Sequence, residues 1–276
     1  MDSKPLVQIT LPIFTPVMKA DQIAEHICNW LQKQLLERAQ KGFVVGVSGG
    51  IDSAVTSTLC AMTKAPTLVV SLPIRQQETE WNRASEHMNW LKQRYANVDT
   101  LELNLEPVWN AIEKSFSEVN ENHMVMANTR SRLRMLALYA FAGSRSYLVA
   151  GTGNKVEDFG IGFFTKYGDG GVDLSPIADL FKSEVYALGH YLNLCTSILQ
   201  AAPTDGLFAD GRTDEDQIGA SYDELEWAMK LPPSFDLNAL SERERWVWQE
   251  FTRRNRQNAH KMQAIPVCTV PEAIKY

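Results

Sequence analysis

The 276-residue chain is poor in cysteine. Cys28, Cys60, Cys195 and Cys268 are scattered, with no Cys-x-x-Cys pair and no histidine at metal-ligand spacing. That pattern argues against a structural zinc site, and it suits reduced thiols in a cytoplasmic setting. The sequence also lacks any apolar run near the roughly 20 residues that cross a bilayer. Its first residues, Met1-Asp2-Ser3-Lys4-Pro5, do not follow the basic-then-apolar plan of a secretion signal. No membrane partner is expected. A surplus of basic residues is missing as well: 27 Lys and Arg stand against 33 Asp and Glu, for a net charge of −6. An acidic chain is ill suited to holding a nucleic acid polymer on a broad cationic surface. A small phosphate ligand stays open, because it needs only a local nest and one or two cations.

With 45% hydrophobic and 22% charged residues the chain is built to fold. Apolar runs alternate with helical patterns along it. Residues 19–40 place Ile23, Ile27, Trp30, Leu31 and Leu35 at helical spacing, a stripe that reads as core. Strands are expected over 43–47, 67–72, 99–105 and 146–150. Helices are expected over 53–62, 78–95, from Pro107 onward, and over 128–141. Strand–helix alternation of this kind predicts an α/β fold, a doubly wound and mostly parallel sheet. Beyond residue 179 the pattern is helical with loops. No linker divides the chain, so residues 1–276 read as a single domain.

The segment between the first strand and its helix is Gly46-Val47-Ser48-Gly49-Gly50-Ile51-Asp52-Ser53. In a doubly wound sheet it falls at the carboxyl end of a strand, where ligands bind. Two glycines let the backbone turn and approach a ligand closely. The following helix offers unpaired N–H groups to an anion, Ser48 and Ser53 add hydroxyls, and Asp52 adds a hard oxygen suited to Mg²⁺. The loop has no Gly-Lys-Ser/Thr ending, so it is no Walker A motif. Gly151-Thr152-Gly153 begins a dinucleotide fingerprint that Val156 breaks. A second cluster follows the fourth strand, from Gly151 through Glu157 to Gly168-Asp169-Gly170-Gly171-Val172-Asp173. Glu157 sits just past a strand end, as Asp52 does, so both carboxylates are expected to face one crevice.

The Ser-Gly-Gly-x-Asp-Ser string resembles the pyrophosphate loop of ATP pyrophosphatases, which cleave ATP between its α and β phosphates. Within that superfamily the chain is similar to the NAD synthetases. The resemblance rests on Phe163-Phe164-Thr165-Lys166-Tyr167-Gly168-Asp169-Gly170-Gly171-Val172-Asp173. Asn128-Thr129-Arg130-Ser131-Arg132 supports it upstream; Asp173-Leu174-Ser175-Pro176 through Lys182 and Gly211-Arg212-Thr213-Asp214-Glu215-Asp216 support it downstream. It covers about residues 19–262. It implies a Rossmann-like fold and a C–N bond-forming ligase that amidates deamido-NAD with ammonia. ATP is used through an acyl-adenylate, giving NAD, AMP and pyrophosphate.

Carried over position by position, the resemblance implies that Gly46 to Ser53, Thr152, Lys182 and Thr204 hold ATP. Asp52 and Glu157 would be Mg²⁺ ligands. Arg132, Lys166, Asp173, His260 and Lys261 would contact deamido-NAD, with Lys182 the cation for pyrophosphate and Asp173 positioning or deprotonating ammonia. A homodimer is implied too. Glutamine-using members carry an added amidase domain, for which the region before residue 20 leaves no room, so direct use of ammonia is expected. Three features depart from the family pattern: Ile74-Arg75-Gln76-Gln77 after the strand-end Pro73, the lack of a basic run after Lys261, and a bulky Phe159. Two rival readings are a different ATP pyrophosphatase, such as a tRNA thiolase or a GMP or asparagine synthetase, and a non-enzymatic nucleotide sensor. Thiolases need catalytic cysteines and a tRNA surface, which this acidic chain lacks. Joint retention of Asp52, Glu157, Lys166 and Lys182 speaks against a decayed site.

Overall fold

The computed structural model describes residues 18–204, 213–232 and 234–275. Gly211 and Arg212 of the downstream motif lie outside the described residues. Four strands, β1 (Gly42–Gly46), β2 (Thr67–Ser71), β3 (Val98–Glu102) and β4 (Tyr147–Val149), form one sheet in the order β3-β2-β1-β4. Every pairing is parallel, with Val44 opposite Leu68 on one side and Val149 on the other. The chain therefore winds outward from β1 through β2 to β3, then returns to place β4 on the opposite side of β1. That reversal creates a switch point between the carboxyl ends of β1 and β4, the place where open α/β sheets bind ligands.

Both faces of the sheet are covered, because β1 is buried on both sides and its side chains alternate between two cores. Phe43 and Val45 pack with α1 (Ala20–Glu37), α2 (Ile51–Met62) and α6 (Lys182–Tyr191). Val44 packs with α4 (Glu106–Ser115) and α5 (His123–Arg145), where Trp109, Leu133 and Leu138 fill the layer. α3 (Glu78–Arg94) closes the first face over Val47 and Val69. After the short α7 (Thr196–Leu199) and α8 (Asp214–Ile218), the chain adds α9 (Tyr222–Lys230) and α10 (Glu242–Met262). These two pack on a six-residue π-helix, Val156–Ile161, around Val156, Ile161, Leu225 and Val247. This is the helical C-terminal portion that the sequence predicts.

The differences from expectation lie at element ends. Helix α5 starts at His123, ahead of residue 128, because the Asn122 side chain accepts from the Val125 N–H at 3.2 Å and caps it. It runs on to Arg145, and Ser146 ends it in the left-handed region with φ 58°. Strand β3 stops at Glu102 because Asn104 Oδ1 accepts from Glu106 N at 2.8 Å and turns the chain into α4. The π-helix carries no sequence signal of its own; such bulges are rare and frequent at functional sites. No described helix is long and apolar enough to cross a membrane.

Candidate functional site

A crevice of about 610 Å³ opens at the β1/β4 switch point. The glycine loop forms one wall. Gly49 adopts φ +88°, and a Cβ there would lie 2.4 Å from the Glu80 carbonyl oxygen, so only glycine lets the loop dock on α3. Ser53 Oγ donates to Gly50 O at 3.0 Å and accepts from Ser48 N at 3.3 Å. The serines thus hold the loop open as a nest at the start of α2. Gln76 Nε2 donates to Ser48 O at 3.1 Å from the segment after Pro73.

Under the loop, three elements far apart in sequence deliver one charged cluster. Lys182, first residue of α6, donates from Nζ to Asp52 Oδ2 at 2.6 Å and to Glu157 Oε1 at 3.0 Å. Asp52 comes from the first turn of α2 and Glu157 from the π-helix. Asn154 ties them together: its Nδ2 donates to Asp52 Oδ1 at 3.0 Å, while its Oδ1 accepts from the N–H groups of Val156 and Glu157. Tyr222, at the start of α9, donates from its hydroxyl to Glu157 Oε1 at 2.6 Å.

Burial raises the Asp52 carboxyl above its ordinary range, and Lys182 offsets this only in part. Burial also opposes ionisation of Glu157, but Lys182 and the Tyr222 hydroxyl outweigh it and hold that carboxyl below its usual range. For Lys182 burial favours the neutral amine, yet the two carboxylates override it and push its pKa up. Burial and the neighbouring Glu157 push the Tyr222 phenol up, so it stays a donor. The cluster thus carries two anionic groups and one cation.

Replacing Tyr222 by Phe removes a hydrogen bond to a buried carboxylate, a loss of about 1.5–3 kcal/mol. The depressed carboxyl of Glu157 stabilises the fold above its unfolded pKa, and that contribution fades as pH falls through its folded value. The stability gap between wild type and Tyr222→Phe is therefore expected to be full at pH 7 and to shrink on acidification below about pH 4.5, the ordinary range of a glutamate. Urea titrations across that range would check it, and a constant gap would place the effect elsewhere.

The other expected residues divide. Thr152 and Thr204 line the crevice, as do Arg132, Lys166, His260 and Lys261 on its opposite wall. There Arg132 Nε donates to Lys166 O at 3.1 Å, Lys166 Nζ to His260 O at 2.8 Å, and Lys261 Nζ to Phe164 O at 2.7 Å. Each bond ends on a neutral carbonyl, so the positive charges still face the cavity. Asp173 is not brought to this crevice. Its Oδ2 accepts from Val149 N at 2.8 Å and its Oδ1 from Tyr139 Oη at 3.0 Å. It lines a separate cavity of about 470 Å³ with Trp30 and Arg38. Phe159 is 53% exposed and leaves the crevice unobstructed.

Sequence reasoning missed Asn154 as the clamp between the carboxylates, although its spacing to Glu157 is that of a helix cap. It also missed Tyr222, 65 residues from its partner, for which no local signal exists. The donor set suits Mg²⁺. One cation, the Lys182 ammonium, already reaches both Asp52 and Glu157. Two carboxylates completed by waters and substrate phosphates is how Mg²⁺ is ordinarily held.

A glycine nest at the switch point of a parallel sheet, with carboxylates beneath it and cations opposite, defines an α/β protein built to hold a phosphate-bearing ligand. A family model described as NAD synthase matches residues 23–265, and the chain belongs to that family. The NH(3)-dependent NAD(+) synthetase of Alkaliphilus metalliredigens (strain QYMF) is 41% identical over 207 residues, 73% of this chain and 83% of that protein. Among solved structures, NMN synthetase from Francisella tularensis superposes with a TM-score of 0.80 at 30% identity, covering 92% of this chain and 99% of that one. NH3-dependent NAD synthetase from Campylobacter jejuni, in complex with the nitrate ion, gives 0.74 at 26% identity, over 91% of this chain and 100% of that one.

Proposed function

We propose that the protein is a C–N ligase that amidates deamido-NAD with ammonia at the expense of ATP, yielding NAD, AMP and pyrophosphate. The observation that carries this reading is the Asp52–Lys182–Glu157 cluster beneath the glycine loop, in a member of the NAD synthase family. A carboxylate is a poor electrophile for ammonia. Its oxygen must first attack the α-phosphorus of ATP, expelling pyrophosphate and leaving an acyl-adenylate. Ammonia then adds to the adenylate carbonyl, loses a proton, and AMP departs.

Neither step needs an enzyme nucleophile, and the protein's part is to position the reactants and neutralise charge. Ser48, Gly50 and the first turn of α2 would hold the phosphate chain. Mg²⁺ held by Asp52 and Glu157 would supply Lewis-acid neutralisation of the phosphate oxygens. Lys182, hydrogen-bonded to both carboxylates, would hold them in place for that ion. Arg132, Lys166, His260 and Lys261 would orient deamido-NAD from the far wall. Asp173, bonded to the last residue of β4 and to α5, would act by bracing the crevice edge. We further place the enzyme in the cytoplasm as a homodimer, which a light-scattering mass would test.

Incubation with Mg-ATP, ammonium and deamido-NAD is expected to give NAD and AMP in equal amounts. A parallel reaction with nicotinate mononucleotide covers the product named for the Francisella protein. Amidation of the mononucleotide alone would overturn the proposed substrate, and amidation of neither would overturn the reading.

A further inference from the structure

The cluster under the loop raises a charge problem for any polyphosphate bound there. Asp52 and Glu157 bring two negative charges, and Lys182, held at 2.6 and 3.0 Å by them, returns only one. Even with the Mg²⁺ that the two carboxylates would hold, a fully ionised triphosphate on the loop outweighs the positive charge beneath it, and Lys182 is hydrogen-bonded to both carboxylates. Arg132, Lys166 and Lys261 stand on the opposite wall.

Arg83 stands at the loop. It lies on the second turn of α3, half-buried, and its side chain lines the crevice with Ser48 and Gly50. Its Nε donates to the Gly49 carbonyl oxygen at 3.1 Å, while its Nη groups make no hydrogen bond to the described residues. α3 lies so close to the loop that a Cβ on Gly49 would run into the Glu80 carbonyl oxygen, so the helix that carries the guanidinium is packed directly on the nest. A guanidinium gripped by one N–H with its remaining donors unspent is preorganised for phosphate oxygens, which its planar fork matches better than an ammonium does.

We propose that Arg83 is a phosphate-binding residue of the ATP site, supplying positive charge at the glycine loop in addition to the Lys182 cluster beneath it. The proposal rests on the reading of this crevice as an ATP site, and binding experiments separate the two. With full-length protein and no second substrate, calorimetry would measure ATP and adenosine affinity for wild type, Arg83→Ala, Arg83→Gln and Arg83→Lys. For Arg83→Ala, ATP binding is expected to weaken about 10- to 30-fold, where each tenfold equals about 1.4 kcal/mol. Adenosine binding and the KM for deamido-NAD should stay within about twofold. Arg83→Lys should recover part of the ATP affinity and Arg83→Gln almost none. Unchanged ATP affinity would overturn the proposal. Equal weakening of ATP and adenosine would overturn it too, since a mere brace of the loop predicts that result. Should Arg83→Ala fail to fold, the Gln and Lys variants decide by the same comparison. If wild type binds ATP yet amidates neither deamidated nucleotide, the functional reading fails while the Arg83 result stands on its own.

Discussion

Lys182→Met is expected to lower kcat/KM by about a thousandfold and to destabilise the fold by about 3–5 kcal/mol, for one electrostatic reason. The Lys182 side chain is 5% exposed and the two carboxylates it joins are 16% exposed. Methionine keeps most of the volume but leaves Asp52 and Glu157 facing each other without a cation. Breaking a buried pair from one side costs several kcal/mol because a charge is left uncompensated, a large part of a typical total of about 5–15 kcal/mol. The site responds by taking up a proton: burial already lifts the Asp52 carboxyl, and without Lys182 nothing of comparable strength opposes it. A protonated Asp52 is a poor metal ligand, so turnover falls further than stability. The double variant Lys182→Met/Glu157→Gln removes one negative charge along with the positive one. It should regain much of the lost stability by urea titration and none of the activity. Stability that stays low in the double variant would show that Lys182 acts by packing rather than by charge.

The legible part of this protein is what contiguous strings encode. The glycine loop, Asp52, Glu157 and Lys182 each sit in a short segment whose residue types fit one position in an α/β unit, and the structure brings all of them to the switch point. Their mutual arrangement was less legible. Read alone, Lys182 looks like an exposed lysine at a helix start, and the resemblance makes it a cation for pyrophosphate; in the fold it is buried between two carboxylates, Asp52 from α2 and Glu157 from the π-helix. Tyr222 and Arg83 were invisible for a related reason. Each reaches its partner across tertiary contacts, from α9 onto the π-helix and from α3 onto the loop, and nothing in the flanking residues records that docking. Asp173 shows how little a motif tells of a side chain's partners. Its motif is distinctive, yet its carboxylate is spent on Val149 N and the Tyr139 hydroxyl.

Gly49→Ala is expected to cut kcat/KM for ATP by at least about 100-fold, while the neighbouring Gly50→Ala costs no more than severalfold. The two glycines are adjacent in one loop, so the contrast isolates backbone geometry. Gly49 sits at φ +88°, where an L-residue pays roughly 1–2 kcal/mol. Its new Cβ would also meet the Glu80 carbonyl oxygen at 2.4 Å and the Arg83 Cβ at 3.1 Å. A backbone carbonyl and a Cβ cannot swing away as the end of a long side chain can, so the loop must lift from α3. A displacement near 1 Å in a positioning element costs on the order of 100-fold in rate, and lifting also parts Gly49 O from Arg83. Gly50 instead has φ −94° and extended geometry as the cap of α2, and its Cβ would meet only Ser48 Oγ at 3.4 Å, an ordinary contact. Steady-state kinetics with ATP varied, beside urea midpoints for both variants, would check this. Equal kinetic losses in the two variants would mean that the loop tolerates displacement from α3, and that its grip on the phosphates does not depend on the contact at Gly49.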